Sequence, residues 1–170
     1  MMRDARQHAL RGFTLIELVM TLALVGVVAM TAIPLHEVVT TRMKEAELRM
    51  ALRTIRTALD AYKANVDDGT IPKQTGESGY PPSLATLVQG VEVRSKEVAL
   101  NGRPAVRRIV FLRQVPRDPF CLDAHTPAEQ TWDTRAYGSP PDRPASGDDV
   151  FDVASKSARL AFDGTRYSAW

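Results

Sequence analysis

One acidic residue stands inside the longest apolar stretch of the chain. Glu17 lies four positions after Phe13, and no other Asp, Glu, Lys or Arg lies between Phe13 and Glu37. A carboxylate within a membrane helix costs about 2.5–3.5 kcal/mol on insertion scales, and less near the interface. Such a residue is by default functional, with a partner of opposite charge. We therefore predict that Glu17 forms an ion pair; the simpler alternative is a side chain that reaches the lipid headgroups.

No other group of residues has the spacing of a catalytic or metal site. The three histidines are scattered along the chain, at His8, His36 and His125. The sequence has no His/Cys cluster with metal-ligand spacing, no G-x-S-x-G nucleophile elbow and no Gly-rich phosphate loop. Asp118 and Asp133 are the only pair of carboxylates worth weighing, and Asp118 precedes a proline, so it is more simply a turn former. We therefore expect a protein that is not an enzyme.

The segment that carries Glu17 is long enough to cross a membrane. The stretch 13–35 has about 23 residues, or roughly 35 Å as a helix, against a bilayer core of about 30 Å. A cleaved secretory signal fits less well, because its apolar region runs about 7–15 residues and ends in small residues. A plain signal anchor fits the length but gives Glu17 no role.

Charge is distributed unevenly between the two ends of this segment. Three arginines in residues 1–12 account for the whole excess of a chain whose formal net charge is +2. This asymmetry predicts a cytoplasmic N-terminus, with the C-terminal part on the opposite side of the membrane. The balanced remainder argues against nucleic-acid binding, which needs a concentrated basic face.

The sequence GFTLIE at positions 12–17, followed by the apolar run, resembles the signal of type IV pilins and type II secretion pseudopilins. The resemblance implies that a prepilin peptidase removes leader 1–12 by cleaving between Gly12 and Phe13, and that it methylates the new Phe13 amine. It also implies that Glu17 pairs with the Phe13 amine of a neighbouring subunit in a helical filament. Pro34 stands where these families carry a helix-bending proline. We expect a kink or a locally melted stretch around 26–34.

Residues 36–170 are expected to form a periplasmic domain, so the whole chain is assigned to the α+β class. The long N-terminal helix continues to about residue 65 and packs on a small antiparallel sheet. Five apolar residues recur at spacings of four and three, which places them on one stripe: Leu48, Leu52, Ile55, Leu59 and Tyr62. A coiled-coil dimer would use the same stripe, but the run is short for one. Glu45 stands four residues before Arg49 and predicts a surface ion pair.

Turn-forming residues divide the rest of the chain into short elements. We predict a loop over 67–82 and a short helix over 83–88, with Ser83 as its N-cap and Gly90 beyond its end. Strands over 93–100 and 106–112 flank the turn Asn101-Gly102, and further strands are expected over 131–137 and 150–153. The last segment is predicted to turn at Asp163-Gly164.

Within the family, the C-terminal half is most similar to the major pseudopilin of type II secretion, the G-type subunit. The matching pieces are YPP at 80–82, VPRDPF at 115–120 and FDV at 151–153. The resemblance implies a single-pass protein of the bacterial inner membrane that polymerises into a periplasmic pseudopilus. Its implied partners are copies of itself, other pseudopilins, the prepilin peptidase and the inner-membrane assembly platform. The alternative is a minor pilin or a competence-type pilin of a type IV pilus system.

Two features of the C-terminal half bear on cofactors and disulfides. G-type subunits usually bind calcium through a Gly- and Asp-rich loop, and the weak candidates for its ligands are Asp148, Asp149, Asp152 and Asp163. This chain departs from the pattern because it ends soon after Asp163-Gly164, so solvated loop carboxylates are the simpler interpretation and no cofactor is expected. The single cysteine, Cys121, excludes an intrachain disulfide. It is expected to be a small buried hydrophobe, with pairing between chains as the alternative.

Overall fold

The computed structural model describes the backbone of residues 12–98 and 104–170, and the same side chains except those of 31–35, 94–98 and 104–105. Residues 1–11 of the predicted leader and the predicted Asn101-Gly102 turn lie outside the described residues. Contacts divide the chain into two compact units, Met1–Arg42 and Met43–Trp170.

The longest element is a helix, α1, that begins at Leu15 and ends at Asp67. Thr14 caps its N-terminus: the Thr14 hydroxyl accepts a bond from the Glu17 amide at 3.3 Å, and its carbonyl accepts one from Leu18 at 3.1 Å. The backbone is helical through Gly26 and Pro34, so the locally melted stretch expected there is absent. A proline removes one helical hydrogen bond, and here the turns on either side keep the helix continuous.

No helix within residues 12–98 and 104–170 has the length and apolarity that crossing a membrane requires. The membrane span that we predict over 13–35 stays a prediction.

The second unit, Met43–Trp170, has its own apolar core, and the C-terminal part of α1 supplies one side of it. All five residues of the predicted stripe are buried, from Leu48 at 0% exposed to Tyr62 at 8%. Smaller residues fill the gaps along the same face of the helix: Ala51, Ala58 and Val66. The stripe is therefore confirmed as a core surface, and it is covered by this chain's own residues rather than by a second helix of a coiled coil.

Two small antiparallel sheets and a short helix pack around this helix face. A helix, α2, spans Leu84–Gln89, and strands β1 and β2 span Val91–Val98 and Pro104–Ile109, with Val91 opposite Ile109. Strands β3 and β4 span Trp132–Arg135 and Asp152–Ser155, with Trp132 opposite Ser155. Short 3-10 helices cover Ala128–Thr131 and Tyr167–Ala169. Each element has the predicted type, apart from the 3-10 turns, which the sequence patterns do not announce.

Several strand boundaries differ from the prediction by one to three residues, and hydrogen bonds to other segments explain two of these differences. The strand predicted over 106–112 ends at Ile109, because the amides of Phe111 and Leu112 both donate to the carbonyl of Leu87, each at 3.0 Å. The strand predicted over 150–153 begins two residues late, because the Val150 amide donates to Pro81 at 2.8 Å. In both places the backbone bonds to a different segment, and apolar character alone does not reveal the partner.

Gly90 is the residue that permits the close approach of α2 to β2. Its φ is +75°, and a Cβ atom added there would lie 2.6 Å from the carbonyl oxygen of Ile109. Only glycine accepts both conditions without displacement of the backbone. The predicted turn at the C-terminal segment is also present, since Gly164 has a φ of +81° and the Ala161 amide bonds to Thr165 at 2.8 Å.

Candidate functional site

The N-terminal part of α1 leaves its large apolar side chains exposed. Phe13 is 83% exposed and Met30 is 80% exposed, and the large apolar residues between them are exposed as well. Glu17 is the one ionisable residue of this surface, and its side chain is exposed too. Contiguous apolar surfaces of this kind mark sites that contact other proteins or a membrane.

Three of the predicted site residues, Gly12, Phe13 and Glu17, therefore lie on an accessible surface of the first unit. Gly12 and Phe13 precede the helix and are exposed, as cleavage between them would require. Pro34 is part of the helical backbone. The partner expected for Glu17 belongs to a neighbouring subunit, so that ion pair stays a prediction, as do cleavage at Gly12 and methylation of Phe13.

Glu45 corrects one prediction. It does not form the expected surface pair with Arg49; instead its side chain is 6% exposed, and its Oε1 atom accepts hydrogen bonds from the Tyr167 hydroxyl at 3.0 Å and the Phe162 amide at 3.2 Å. Arg49 turns to the other side and stacks on the ring of Trp170, 4.2 Å from its centre. Burial, together with the hydrogen bond to Glu45 and the charge of that residue, raises the pKa of the Tyr167 hydroxyl.

The signal for this buried acid was present in the sequence. Glu45 precedes Leu48 by three residues and so continues the stripe that Leu48, Leu52 and Ile55 define. The i,i+4 pairing rule predicted a surface pair for Glu45, whereas an extension of the stripe by one position agrees with the burial that the structure shows.

Arg56 joins α1 to the C-terminal segment. Its Nε atom donates to Asp152 Oδ1 at 2.7 Å, and its Nη2 atom donates to the carbonyl oxygens of Val153 at 3.2 Å and Trp170 at 2.7 Å. One guanidinium thus holds β4 and the last described residue against the helix, a use of several donors that lysine cannot reproduce.

The calcium candidates are not gathered together. Asp152 is paired with Arg56, Asp149 accepts a bond from the Tyr137 amide at 2.8 Å, and Asp163 accepts bonds from the amide and the hydroxyl of Thr165. The Thr165 hydroxyl bond, followed by the amide bond, lowers the pKa of Asp163. Among the described residues, no three His, Cys, Asp or Glu side chains form a group that could hold a metal ion.

The carboxylate of Asp118 is buried, whereas the position of this residue before a proline predicts only a turn. Asp118 is 3% exposed. Its carboxylate accepts hydrogen bonds from the Phe120 amide at 2.8 Å and the Ser155 hydroxyl at 2.5 Å. The local bond to Phe120 is that of a turn former, as predicted. Cys121 next to this turn is partly exposed, so the prediction of a buried cysteine is wrong. Asp133, the residue that we weighed as a second carboxylate beside Asp118, is exposed on β3.

A second surface of the folded unit is a cleft that the sequence patterns did not predict. It has a volume of about 760 Å³ and lies between the end of α1, the loop over 71–82 and the segments around residues 138 and 148. Tyr62, Tyr80 and Tyr137 form its aromatic walls, and Glu77, Asp148 and Asp149 contribute carboxylates. These residues come from four separate parts of the chain, and no spacing rule links them.

Comparison with known proteins agrees with the architecture. A "Fimbrial protein" of Neisseria meningitidis serogroup A is 33% identical to this chain over 88 residues, which make up 52% of this chain and 49% of that protein. This similarity supports a type IV pilin-like family. The chain spans about half the length of the curated relative it matches. No family model matches the chain, and no solved structure matches it significantly.

The pilin-like assignment is consistent with the fold. The structure is α+β, with one long N-terminal helix and small antiparallel sheets, as the sequence predicted. The distinction between a pseudopilin and a pilus subunit is finer than the similarity reaches.

Proposed function

We propose that this chain is a structural subunit that polymerises through its N-terminal helix into the pseudopilus of a type II secretion system. The observation that carries the proposal is the exposed apolar surface of α1 between Phe13 and Met30, with Glu17 as its one ionisable residue. Exposed apolar surface of this extent is stable in water only when something covers it. In the proposal a lipid bilayer covers it before assembly, and the helices of neighbouring subunits cover it afterwards.

Processing prepares the N-terminus for this assembly. Hydrolysis of the Gly12–Phe13 bond by a prepilin peptidase releases the leader with a new carboxylate on Gly12, and it leaves a free amine on Phe13. Methylation of that amine keeps its positive charge. The mature chain then begins with a cation four residues before Glu17, the single acid of the apolar stretch 13–35.

The cation and the acid are complementary between copies. When neighbouring helices pack with an axial offset, the Phe13 amine of one subunit meets Glu17 of another in an apolar environment. Removal of one partner from a buried ion pair leaves the other charge uncompensated, at a cost of about 3–5 kcal/mol. The pair therefore fixes the axial position of each added subunit, which a uniform apolar surface does not.

The remaining parts of the proposal follow from this role. We place the protein in the inner membrane, with a cytoplasmic N-terminus and a periplasmic folded domain. Its partners are other copies, other pseudopilins, the prepilin peptidase and the inner-membrane assembly platform. We assign it no catalytic activity, no nucleic-acid ligand and no resident cofactor.

The second candidate function is a subunit of a type IV pilus, either a minor pilin or a competence-type pilin. The observation that motivates it is that the similar protein of Neisseria meningitidis is described as a fimbrial protein. The two candidates share cleavage, methylation and helix packing, and they differ in the machinery that surrounds the filament.

The test follows the mass and the crosslinking of the chain in cells that produce a prepilin peptidase. We expect a mature mass that begins at methylated Phe13, and crosslinks between copies through single cysteines placed near residue 20. Glu17→Gln should be processed normally and lose these crosslinks, whereas the control Glu37→Gln, an exposed acid farther along α1, should retain them. A chain that keeps residues 1–12, or a Glu17→Gln variant that crosslinks like the wild type, would refute the proposal.

A second readout separates the two candidate systems. Crosslinks between the folded domain and an outer-membrane secretin complex, without filaments on the cell surface, support the secretion pseudopilus. Long surface filaments that contain the chain support the pilus.

A further inference from the structure

The cleft beside Tyr62 has the dimensions and the composition of a binding site. Its volume of about 760 Å³ falls within the range of about 300–1,000 Å³ that is typical of sites for small ligands. Its walls are formed by the end of α1, the loop over 71–82, the start of β1 and the segments around Gly138 and Asp148. The whole cleft lies within the folded unit of residues 43–170.

One side of the cleft is an aromatic cluster. The rings of Tyr80 and Tyr137 stack with their centres 5.7 Å apart, and the ring of Phe151 meets both of them edge-on, at 5.1 Å and 5.6 Å. Tyr137 is 58% exposed, so part of this cluster is open to a ligand. Flat aromatic surfaces of this kind bind planar or cationic groups by stacking.

The hydroxyl of Tyr62 has no partner within the described protein. Tyr62 is 8% exposed and lines the cleft, and none of the hydrogen bonds among residues 12–98 and 104–170 involves its hydroxyl. Its ring packs against Phe111, with the ring centres 5.4 Å apart, which fixes its position. The hydroxyl oxygen is not one of the fully buried unpartnered atoms of the described chain, so it is open to the cleft, where water or a ligand can bond to it.

The charge of the lining is negative. Three carboxylates belong to it, Glu77, Asp148 and Asp149, and no Lys or Arg is among the described lining residues. Glu77 accepts the Gln74 amide at 3.0 Å, and Asp149 accepts the Tyr137 amide at 2.8 Å. Asp148 makes no hydrogen bond or ion pair with the described residues.

Two described cations approach the aromatic cluster without lining the cleft, and the Arg135 guanidinium lies 5.1 Å from the centre of the Phe151 ring. The Lys63 ammonium lies 5.9 Å from the centre of the Tyr80 ring and is paired with Asp67. The charge of Glu77 reaches Tyr62 as well: burial first, and then this charge, raise the pKa of the Tyr62 hydroxyl.

Together these features favour an organic cation over the other ligands of such a site. A calcium ion would use the carboxylates but not the aromatic walls, and the described acids do not form a metal-binding group. A neutral sugar would stack on the rings and donate its hydroxyls to the carboxylates, but it would gain no charge–charge attraction from the three acids. A guanidinium group stacks on aromatic faces and donates up to five hydrogen bonds to carboxylates and hydroxyls.

We propose that this cleft binds the guanidinium group of an arginine side chain presented by a polypeptide partner. The cleft is larger than one side chain, so residues on either side of the arginine also fit along the loop over 71–82. The guanidinium stacks on the Tyr80–Tyr137 cluster, pairs with Asp148 and Glu77, and donates to the Tyr62 hydroxyl oxygen. The proposal concerns the folded unit alone and does not depend on cleavage at Gly12 or on the role of Glu17.

The test is a calorimetric titration of the purified full chain in detergent micelles. The probe is a blocked pentapeptide with a central arginine between alanines, and the comparison peptide carries citrulline, which has nearly the same shape and no charge. We expect the arginine peptide to bind at least about tenfold more tightly than the citrulline peptide, as for the loss of a charged hydrogen-bond network. We also expect the arginine peptide to bind more tightly than blocked free arginine. That difference would indicate that the ligand is an arginine within a polypeptide.

Two variants connect the binding to the cleft. Asp148→Asn and Tyr62→Phe should each weaken the arginine peptide about three- to tenfold. The matched control Glu129→Gln removes an exposed acid outside the cleft and should leave the affinity unchanged. Asp148 is exposed and bonds to no described residue, so its variant should fold even if the Tyr62 variant does not.

Several results would overturn the proposal. The first is equal affinity for the arginine and citrulline peptides, and the second is binding that neither variant weakens. The third is a cleft that does not bind the arginine peptide but binds calcium chloride or a neutral disaccharide in a way that depends on Asp148. The Glu17→Gln chain should bind the peptide normally. A failure of binding therefore stays distinguishable from a failure of filament assembly.

Discussion

The hydrogen bond between Tyr167 and Glu45 provides the sharpest test of how the folded unit is held together. Tyr167→Phe removes one hydroxyl and keeps the ring, which stacks on Phe120 at 4.0 Å and meets Trp170 at 5.1 Å. The lost bond is to a carboxylate in a residue that is 6% exposed, and the tyrosine is 1% exposed. A hydrogen bond to a charged group contributes about 1.5–3 kcal/mol, so we expect a loss of about 2 kcal/mol in the free energy of unfolding.

Urea unfolding of the full chain in detergent micelles measures this loss. Fluorescence of Trp132 and Trp170 reports on the folded unit, since both rings belong to its packed regions. With a urea dependence of about 1–3 kcal/mol per molar, the midpoint should fall by about 1 M. The control is Tyr137→Phe, which removes the hydroxyl of an exposed tyrosine and should change stability by less than about 0.5 kcal/mol.

A double-mutant cycle shows whether Glu45 is the cause. Glu45→Gln alone should also destabilise, and the two changes together should cost less than their sum, with a coupling of about 0.5–3 kcal/mol. Equal midpoints for Tyr167→Phe and Tyr137→Phe would refute the argument, because the buried carboxylate would then not depend on that hydroxyl.

Three further predictions concern other parts of the folded unit. The pKa of Tyr167 is raised on folding, so unfolded tyrosine ionises first and stability should fall as pH rises above about 10. Urea midpoints at pH 9 and 11 measure the fall, which should be smaller in Tyr167→Phe. Arg56→Met removes the bonds to β4 and to the C-terminal segment. Because the ion pair is partly exposed, the free energy of unfolding should fall by only about 1–3 kcal/mol. The control Arg53→Met should lower the free energy of unfolding by less than about 0.5 kcal/mol. Gly90→Ala brings a Cβ within 2.6 Å of a carbonyl oxygen and should lower the thermal midpoint markedly. Gly69→Ala has a similar φ of +78° in open space and should show only the smaller conformational cost, about 1 kcal/mol; equal effects of the two glycine changes would count against the clash.

The sequence was sufficient wherever a periodic pattern and a buried surface coincided. The stripe from Leu48 to Tyr62 became the core face of α1, and the Gly90 and Gly164 positions ended a helix and a turn as expected. These features depend on local spacing and on backbone conformations that only a few residues adopt. Both are readable from a single chain.

The features that sequence analysis missed depend on contacts between distant residues. Glu45 meets Tyr167 across 122 positions, and the cleft gathers Tyr62, Tyr80 and Tyr137 from separate segments. A pairing rule for helix surfaces assigned Glu45 to Arg49 because that rule sees only neighbours on one helix. The same reason explains Cys121, whose partial exposure depends on how the turn at Asp118 packs.

The long reach of Arg56 and Glu45 has a consequence for when the domain can fold during synthesis. Their partners, at Trp170 and Tyr167, are 114 and 122 residues away, so the polar groups that α1 buries stay unsatisfied until the last part of the chain has been made. Contacts of such high sequence separation slow folding, because a long loop must close before they form. The helix can wind early as the chain emerges, but the domain around it closes only after Tyr167 and Trp170 have been made.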